Sequence, residues 1–218
     1  MHLVLINPNT TRAFTADMVA LAAQAAPDDV RVSGLTAKSG SPLITTHAEY
    51  DAAIAAVLAL AGDLGAADAV IVSAFGDPGR DDLAQKVSVP VVGLAEAAFE
   101  IASCCRQGRF AVITTMGDLV DRTEALVRRH GHGERLASVR VTEGAPAALI
   151  ADRSALIDAM AEIGAAAVRE DGAEAIIIGG GPLASTAAAL AKRLGVPVIS
   201  PVEAAVSVAV QRARAARA

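Results

Sequence analysis

Two short segments carry the residue types from which an anion cradle is built: Asn7-Pro8-Asn9-Thr10-Thr11 and Thr114-Thr115-Met116-Gly117, each following a short apolar run. Amide and hydroxyl side chains beside the N–H groups of a helix N-terminus suit an anion the size of a carboxylate. The same residue types also serve as ordinary helix caps. Their recurrence at matching places in the chain favours a ligand site. Two further segments, Ser73-Ala74-Phe75-Gly76-Asp77-Pro78-Gly79 and Gly179-Gly180-Gly181-Pro182-Leu183-Ala184, leave strands through turns whose glycines let backbone approach a ligand closely. Pro182 suits the first turn of a helix. The candidate binding set is therefore Asn7, Asn9, Ser73, Ala74, Phe75, Thr114, Thr115, Gly180, Gly181 and Pro182.

Groups able to move a proton near these segments are Ser73, Asp77, Glu96 and Glu203. Each has a structural reading beside the chemical one. Asp77-Pro78-Gly79 is a turn in which the Asp side chain bonds its own backbone, and Glu96 and Glu203 open helices, where a carboxylate complements the dipole. His47, His130 and His132 show no metal or triad spacing; His47, near Glu49 and Tyr50, is expected at the rim of the site. Cys104 and Cys105 are adjacent and fit no zinc pattern, so they read as buried helix packing and no metal is expected. Gly179, Gly181 and Ala184 meet a loose dinucleotide pattern. No acidic residue closes the next strand, so no nicotinamide cofactor, and no other cofactor, is expected.

The elements that must position these groups alternate. Strands are expected at 3–6, 30–35, 69–73, 89–93, 110–114, 138–142, 175–178 and 197–200, and helices at 13–25, 49–60, 80–85, 95–106, 119–130, 153–169, 185–194 and 202–216. Such alternation reads as βαβ units with parallel sheets. The pattern also repeats. Ala67-Asp68-Ala69-Val70-Ile71-Val72 matches Ala173-Glu174-Ala175-Ile176-Ile177-Ile178, Val89-Pro90-Val91-Val92 matches Val196-Pro197-Val198-Ile199, and Glu96-Ala97-Ala98 matches Glu203-Ala204-Ala205. The chain thus reads as two duplicates of one βαβαβ plan: an α/β protein of two pseudo-symmetric lobes, 1–98 with 205–218 and 99–204, with a ligand cleft between them at the strand ends.

Composition bounds the function. With 53% hydrophobic residues in 218 the chain can fill a sizeable core. Aromatics are 2% and the formal charge is −5, so base-stacking platforms and basic stripes are lacking and nucleic acid is excluded as a partner. No apolar run reaches the ~20 residues that span a bilayer, and the first residues lack the basic start of a signal peptide, so a cytoplasmic protein without a membrane partner is expected. An Ala-rich, apolar chain with few long charged side chains is expected to form a homo-oligomer.

Together, Ile6-Asn7-Pro8-Asn9-Thr10-Thr11, Phe75-Gly76-Asp77-Pro78-Gly79, Glu96-Ala97-Ala98-Phe99, Val112-Ile113-Thr114-Thr115 and Gly195-Val196-Pro197-Val198-Ile199 resemble the aspartate/glutamate/hydantoin racemase superfamily, in its hydantoin and allantoin racemase branch. The resemblance covers nearly the whole chain. It implies a two-lobed fold and two cysteines facing each other across the substrate, one thiolate removing the proton α to a carbonyl while the other thiol protonates the opposite face. The places it assigns to those thiols hold Ala74 and Gly180 here. A methyl group or a hydrogen has nothing to titrate. Arylmalonate decarboxylases of the same superfamily work with a single thiol, so the resemblance implies an enzyme acting on a small carboxylate or cyclic ureide by a lyase-like or divergent isomerase route, with its acid/base group unassigned. The alternatives are a catalytically silent protein that binds a small anionic ligand and a racemase of unusual mechanism.

Overall fold

The computed structural model describes residues 1–104 and 108–217. The chain divides into two compact units, 1–97 with 202–218, and 98–201. Unit 1 contains β1 (His2–Asn7), α1 (Arg12–Ala25), β2 (Arg31–Thr36), α2 (His47–Leu58), β3 (Ala69–Val72), α3 (Arg80–Ala84) and β4 (Val91–Gly93), and α4 (Leu94–Ser103) leads out of it. Unit 2 contains β5 (Phe110–Thr114), α5 (Val120–Arg129), β6 (Leu136–Val141), α6 (Pro146–Ala151), α7 (Arg153–Glu170), β7 (Ala175–Ile178), α8 (Ala187–Leu194) and β8 (Val198–Ile199), and α9 (Pro201–Ala215) returns to unit 1.

Each unit holds one parallel sheet, and the two orders are the same: β2-β1-β3-β4 and β6-β5-β7-β8. The repeat is longer than a βαβαβ plan, with four strands per unit. Parallel central strands are covered on both faces, which is why β3 (AVIV) and β7 (AIII) are continuous apolar runs and every residue in them is buried. The edge strands β2 (RVSGLT) and β6 (LASVRV) mix polar and apolar residues and stay partly exposed. Separate cores sit under the sheets. Ile6, Val57, Val70, Val72 and Leu83 pack in unit 1, while Ile113, Met160, Ile176, Leu183 and Leu190 pack in unit 2.

Several expectations need correcting. Helix α4 ends at Ser103, so Cys104 lies beyond it and is exposed, with its Sγ 3.4 Å from the Glu100 carbonyl; it is not core packing. Cys105 and Arg106 lie outside the described residues. Pro182 is in a turn ahead of the 3-10 turn Ala184–Thr186 rather than in a first helical turn. Helix α6 was not expected from periodicity, being six residues long, although Pro146 at its start is a sequence signal. Among the described residues no helix is long and apolar enough to cross a membrane.

Candidate functional site

In a parallel sheet all strands end on one edge, so the turns after β1, β3, β5 and β7 bring their residues together within each unit. In unit 1 the β1 turn is knotted by two asparagines, both buried. Asn7 Nδ2 donates to Asn9 Oδ1 (2.9 Å) and Thr15 Oγ1 (2.9 Å), and Asn7 Oδ1 accepts the Asn9 N–H (3.1 Å). Asn9 Oδ1 also accepts the Thr11 N–H at 3.0 Å, which fixes the orientation of its amide. Asn7 is thereby spent on the turn. Asn9 Nδ2 is engaged by no hydrogen bond among the described residues and remains a donor. Simple capping does not describe this turn: the N-cap of α1 is Thr11, whose side chain donates to the Pro42 carbonyl (2.7 Å) and caps nothing.

The β3 turn is held by groups the sequence places correctly but reads differently. Ser73 is buried and its Oγ donates to the Ile6 carbonyl at 2.7 Å. Ala74 and Phe75 form the half-buried tip. Asp77 takes φ +57, the left-handed region, and its carboxylate does not bond its own turn. It accepts the Ala95 N–H (2.9 Å) and the Glu96 N–H (2.8 Å), capping α4 from another strand. Gly93 permits this, since a Cβ there would fall 2.1 Å from the Asp77 carboxyl carbon. Burial pushes Asp77 up to about 7, against the pull of those two N–H groups; the neighbouring Glu96 charge adds to the rise and Arg80 opposes it. Glu96 in turn accepts the Gly93 N–H (3.2 Å), and its other oxygen takes Arg80 (2.7 Å) and Arg212 of α9 (2.7 Å). Its repeat partner Glu203 lies in the first turn of α9 and is exposed.

A rim around these turns was only partly foreseen. Thr46 and Glu49 form a capping box at the start of α2. Burial raises Glu49, but bonds from the Thr45 N–H, the Ser41 and Thr45 hydroxyls and the Thr46 N–H outweigh it and bring the carboxyl to about 2. The 37–46 segment is tied to the β1 turn by Thr10 N–H to the Ser41 carbonyl (3.0 Å). Tyr50 Oη donates to the Gly76 carbonyl at 2.5 Å, so α2 reaches the β3 turn. The signal available beforehand was the T-x-x-E spacing of Thr46 and Glu49. His47 begins α2.

Unit 2 repeats the backbone without the charges. Thr114 Oγ1 donates to the Gly179 carbonyl (2.8 Å) and accepts the Met116 N–H (3.1 Å), while Thr115 is buried and its hydroxyl donates to the Met116 sulfur, at 3.6 Å. The ladders of the two units give the correspondence directly. Ser73 N–H bonds the Ile6 carbonyl and Gly179 N–H the Ile113 carbonyl (both 2.8 Å); Asp77 N–H bonds the Ala74 carbonyl (3.1 Å) and Leu183 N–H the Gly180 carbonyl (3.2 Å). Ala74 and Gly180 therefore occupy equivalent places, one in each unit. Gly180 is not in the left-handed region; what a Cβ there would meet is the Leu183 side chain, at 2.9 Å. His130 packs at 6.3 Å, tilted, from Phe99, away from the strand ends, and burial holds His132 below its usual value. Among the described residues no cluster of three His, Cys, Asp or Glu could hold a metal.

Two parallel four-strand sheets with the same strand order, each ending in small polar turns, define a duplicated α/β protein with its polar groups at the strand ends. Residues 3–209 match the family model described as Asp/Glu/Hydantoin racemase, and the chain belongs to that family. It is similar to a hydantoin racemase from Pseudomonas sp. (strain NS671), 34% identical over 96% of this chain and 84% of that protein, and to one from Paenarthrobacter aurescens, 32% identical over 96% and 89%. The solved structure of an allantoin racemase from Pseudomonas fluorescens matches with a TM-score of 0.95 at 32% identity, covering 99% of this chain and 92% of that one.

Proposed function

We propose that this chain is a small-molecule enzyme that takes a small carboxylate or a cyclic ureide, the class to which hydantoin and allantoin belong, at its strand-end turns, and that it does not work by a two-thiol proton relay. One observation carries the reading: the equivalent positions Ala74 and Gly180, where the family resemblance calls for thiols, hold a methyl group and a hydrogen. Two-base inversion at a carbon α to a carbonyl needs a titratable group on each face, and a positioned acid or base contributes ~10²–10⁴-fold. The donors around the turns, Asn9 Nδ2 and the first-turn N–H groups of α1 in unit 1 and the Thr115 hydroxyl in unit 2, suit stabilisation of a carboxylate or of enolate charge. In a decarboxylation the Cα–carboxylate bond breaks with loss of CO2, these donors stabilise the enolate left behind, and its Cα takes one proton from water, so no pair of opposed bases is needed.

A second reading, a catalytically silent ligand-binding homologue, is favoured by a separate observation. Ser73, Asp77 and Glu96 are each occupied by backbone or arginine partners. One experiment separates the readings. The protein is incubated in deuterium oxide with enantiopure allantoin, 5-substituted hydantoins, aspartate and glutamate, and α-proton exchange is followed by NMR; arylmalonate is assayed for CO2 release, and binding of each compound is measured by calorimetry. Exchange at the solvent background is expected. Binding without turnover of any compound selects the silent homologue, and efficient exchange overturns both readings and turns attention to Glu96 and Glu203.

A further inference from the structure

In unit 1 a groove of about 450 Å³ runs between α1 and the edge strand β2, lined by Arg12, Ala16 and Val19 on one side and by Gly34, Thr36 and Lys38 on the other. The spacing of the helix residues puts them on one face. Gly34 lets that face settle on the strand, since a Cβ there would lie 2.6 Å from Val19 Cγ2 and 2.7 Å from Thr15 Cγ2. Two cations stand beside this apolar wall. The Arg12 side chain has no hydrogen bond or ion pair among the described residues. Lys38 Nζ meets Asp63 at 3.1 Å, with both side chains exposed.

A hydroxyl completes the set, and the bonds behind it decide where its proton goes. Asn7 Oδ1 accepts the Asn9 N–H, so the other side of the Asn7 amide, Nδ2, donates to Thr15 Oγ1 at 2.9 Å. Thr15 Oγ1 then lies 2.7 Å from Thr36 Oγ1, and neither hydroxyl has a further partner among the described residues. One of the two hydroxyl protons is therefore left without a protein acceptor. Were Thr36 the donor, the stranded proton would sit on Thr15, which is buried; with Thr15 donating, it sits on Thr36, which is half-buried and lines the groove. An unmet donor is costlier the deeper it lies, so the second order holds and Thr36 offers its O–H to the groove.

We propose that this groove is a second binding site, for a small phosphate monoester, and that none of its lining residues belongs to the strand-end site. The Arg12 fork, the Lys38 ammonium and the Thr36 hydroxyl are three donor groups, two of them charged. They match a phosphate, which carries three acceptor oxygens and about two negative charges. A monocarboxylate brings two oxygens and one charge. Ala16 and Val19 give the carbon body of the ester an apolar wall. Lys38 exchanges Asp63 for the phosphate, and an exposed ion pair of that kind opposes the exchange little.

Propyl phosphate and butyrate, which share a propyl chain and differ in the anion, are titrated calorimetrically into the unaltered protein and into Arg12→Ala, Thr36→Val, Thr36→Ser and Asp63→Asn, with Tm recorded for each. Propyl phosphate is expected to bind about tenfold more tightly than butyrate. Arg12→Ala should weaken it about tenfold with Tm unchanged, because the side chain has no protein partner to lose. Thr36→Val should weaken it by a similar factor and Thr36→Ser restore it. Asp63→Asn, which frees Lys38 and removes a repelling charge, should tighten it about threefold. Propyl phosphate bound no more tightly than butyrate, Arg12→Ala or Thr36→Val without effect, or Asp63→Asn without a gain overturns the site. Each result leaves the reading of the strand-end turns untouched.

Discussion

The turn after β3 and the turn after β7 share a backbone and differ in chemistry. In unit 1 the residue whose N–H closes the turn is Asp77, with its carboxylate set on the N–H groups of Ala95 and Glu96; in unit 2 it is Leu183, fully buried in an apolar core. The partner strand differs too. Gly93 faces the Asp77 carboxylate, and the matching place after β8 is Ser200, which carries a side chain. The two units share a ladder but only one sets a carboxylate at this turn, and the room for it is the space that a side chain at Gly93 would fill. Aspartate and glycine are therefore a pair: neither can change alone without the other losing its purpose.

Gly93→Ala should break the comparison most severely. The new Cβ displaces the Asp77 carboxylate from two charge-assisted bonds, for a loss of about 3 kcal/mol or more. Chemical denaturation of the unaltered protein and the variant reads the difference. Next is pH. Because Asp77 sits near 7 in the fold and at 3.8 when unfolded, the folded chain holds the extra proton between these values, and stability falls as pH rises through that window. On the order of 2 kcal/mol should be lost between about pH 5 and 7.5, and Asp77→Asn should flatten the Tm profile there. Glu49 has the opposite sign: held at about 2 against 4.5, it contributes stability above its unfolded value that is lost as pH falls from 4.5 towards 2. Glu96→Gln, which weakens two arginine pairs at a buried carboxylate, should cost about 2 kcal/mol. Asn9→Ala should weaken an acidic ligand roughly tenfold by removing one charge-assisted donor, and should lower Tm as well, because the Asn9 Oδ1 also holds the Asn7 amide and the Thr11 N–H. Glu203→Gln, at the exposed repeat position, should stay within about 0.5 kcal/mol.

Much of the fold was legible in the residues. Strands such as Ala69–Val72 and Ala175–Ile178 announce themselves because a doubly covered strand is one unbroken apolar run, and the repeat is visible for the same reason. The turns at Asn7, Ser73, Thr114 and Gly180 were found because strand ends are marked by small polar residues. Partners were not legible. Nothing local in Asp77-Pro78-Gly79 says that the carboxylate reaches across to the backbone of α4, since that bond joins residues 18 and 19 apart and depends on the absence of a side chain at Gly93.

Unit 1 is discontinuous, closed by α9 after the whole of unit 2 has intervened. During synthesis the first 97 residues emerge early, yet Glu96 acquires Arg212, and Asp29 its contact with Arg214, only when α9 leaves the ribosome. At ~5–20 residues per second the roughly 100 intervening residues impose a wait of about 5–20 s. Unit 2, contiguous in the chain, can finish first. The usual order of vectorial folding is thereby inverted, and a nascent chain halted before α9 would hold a completed second half beside an unfinished first.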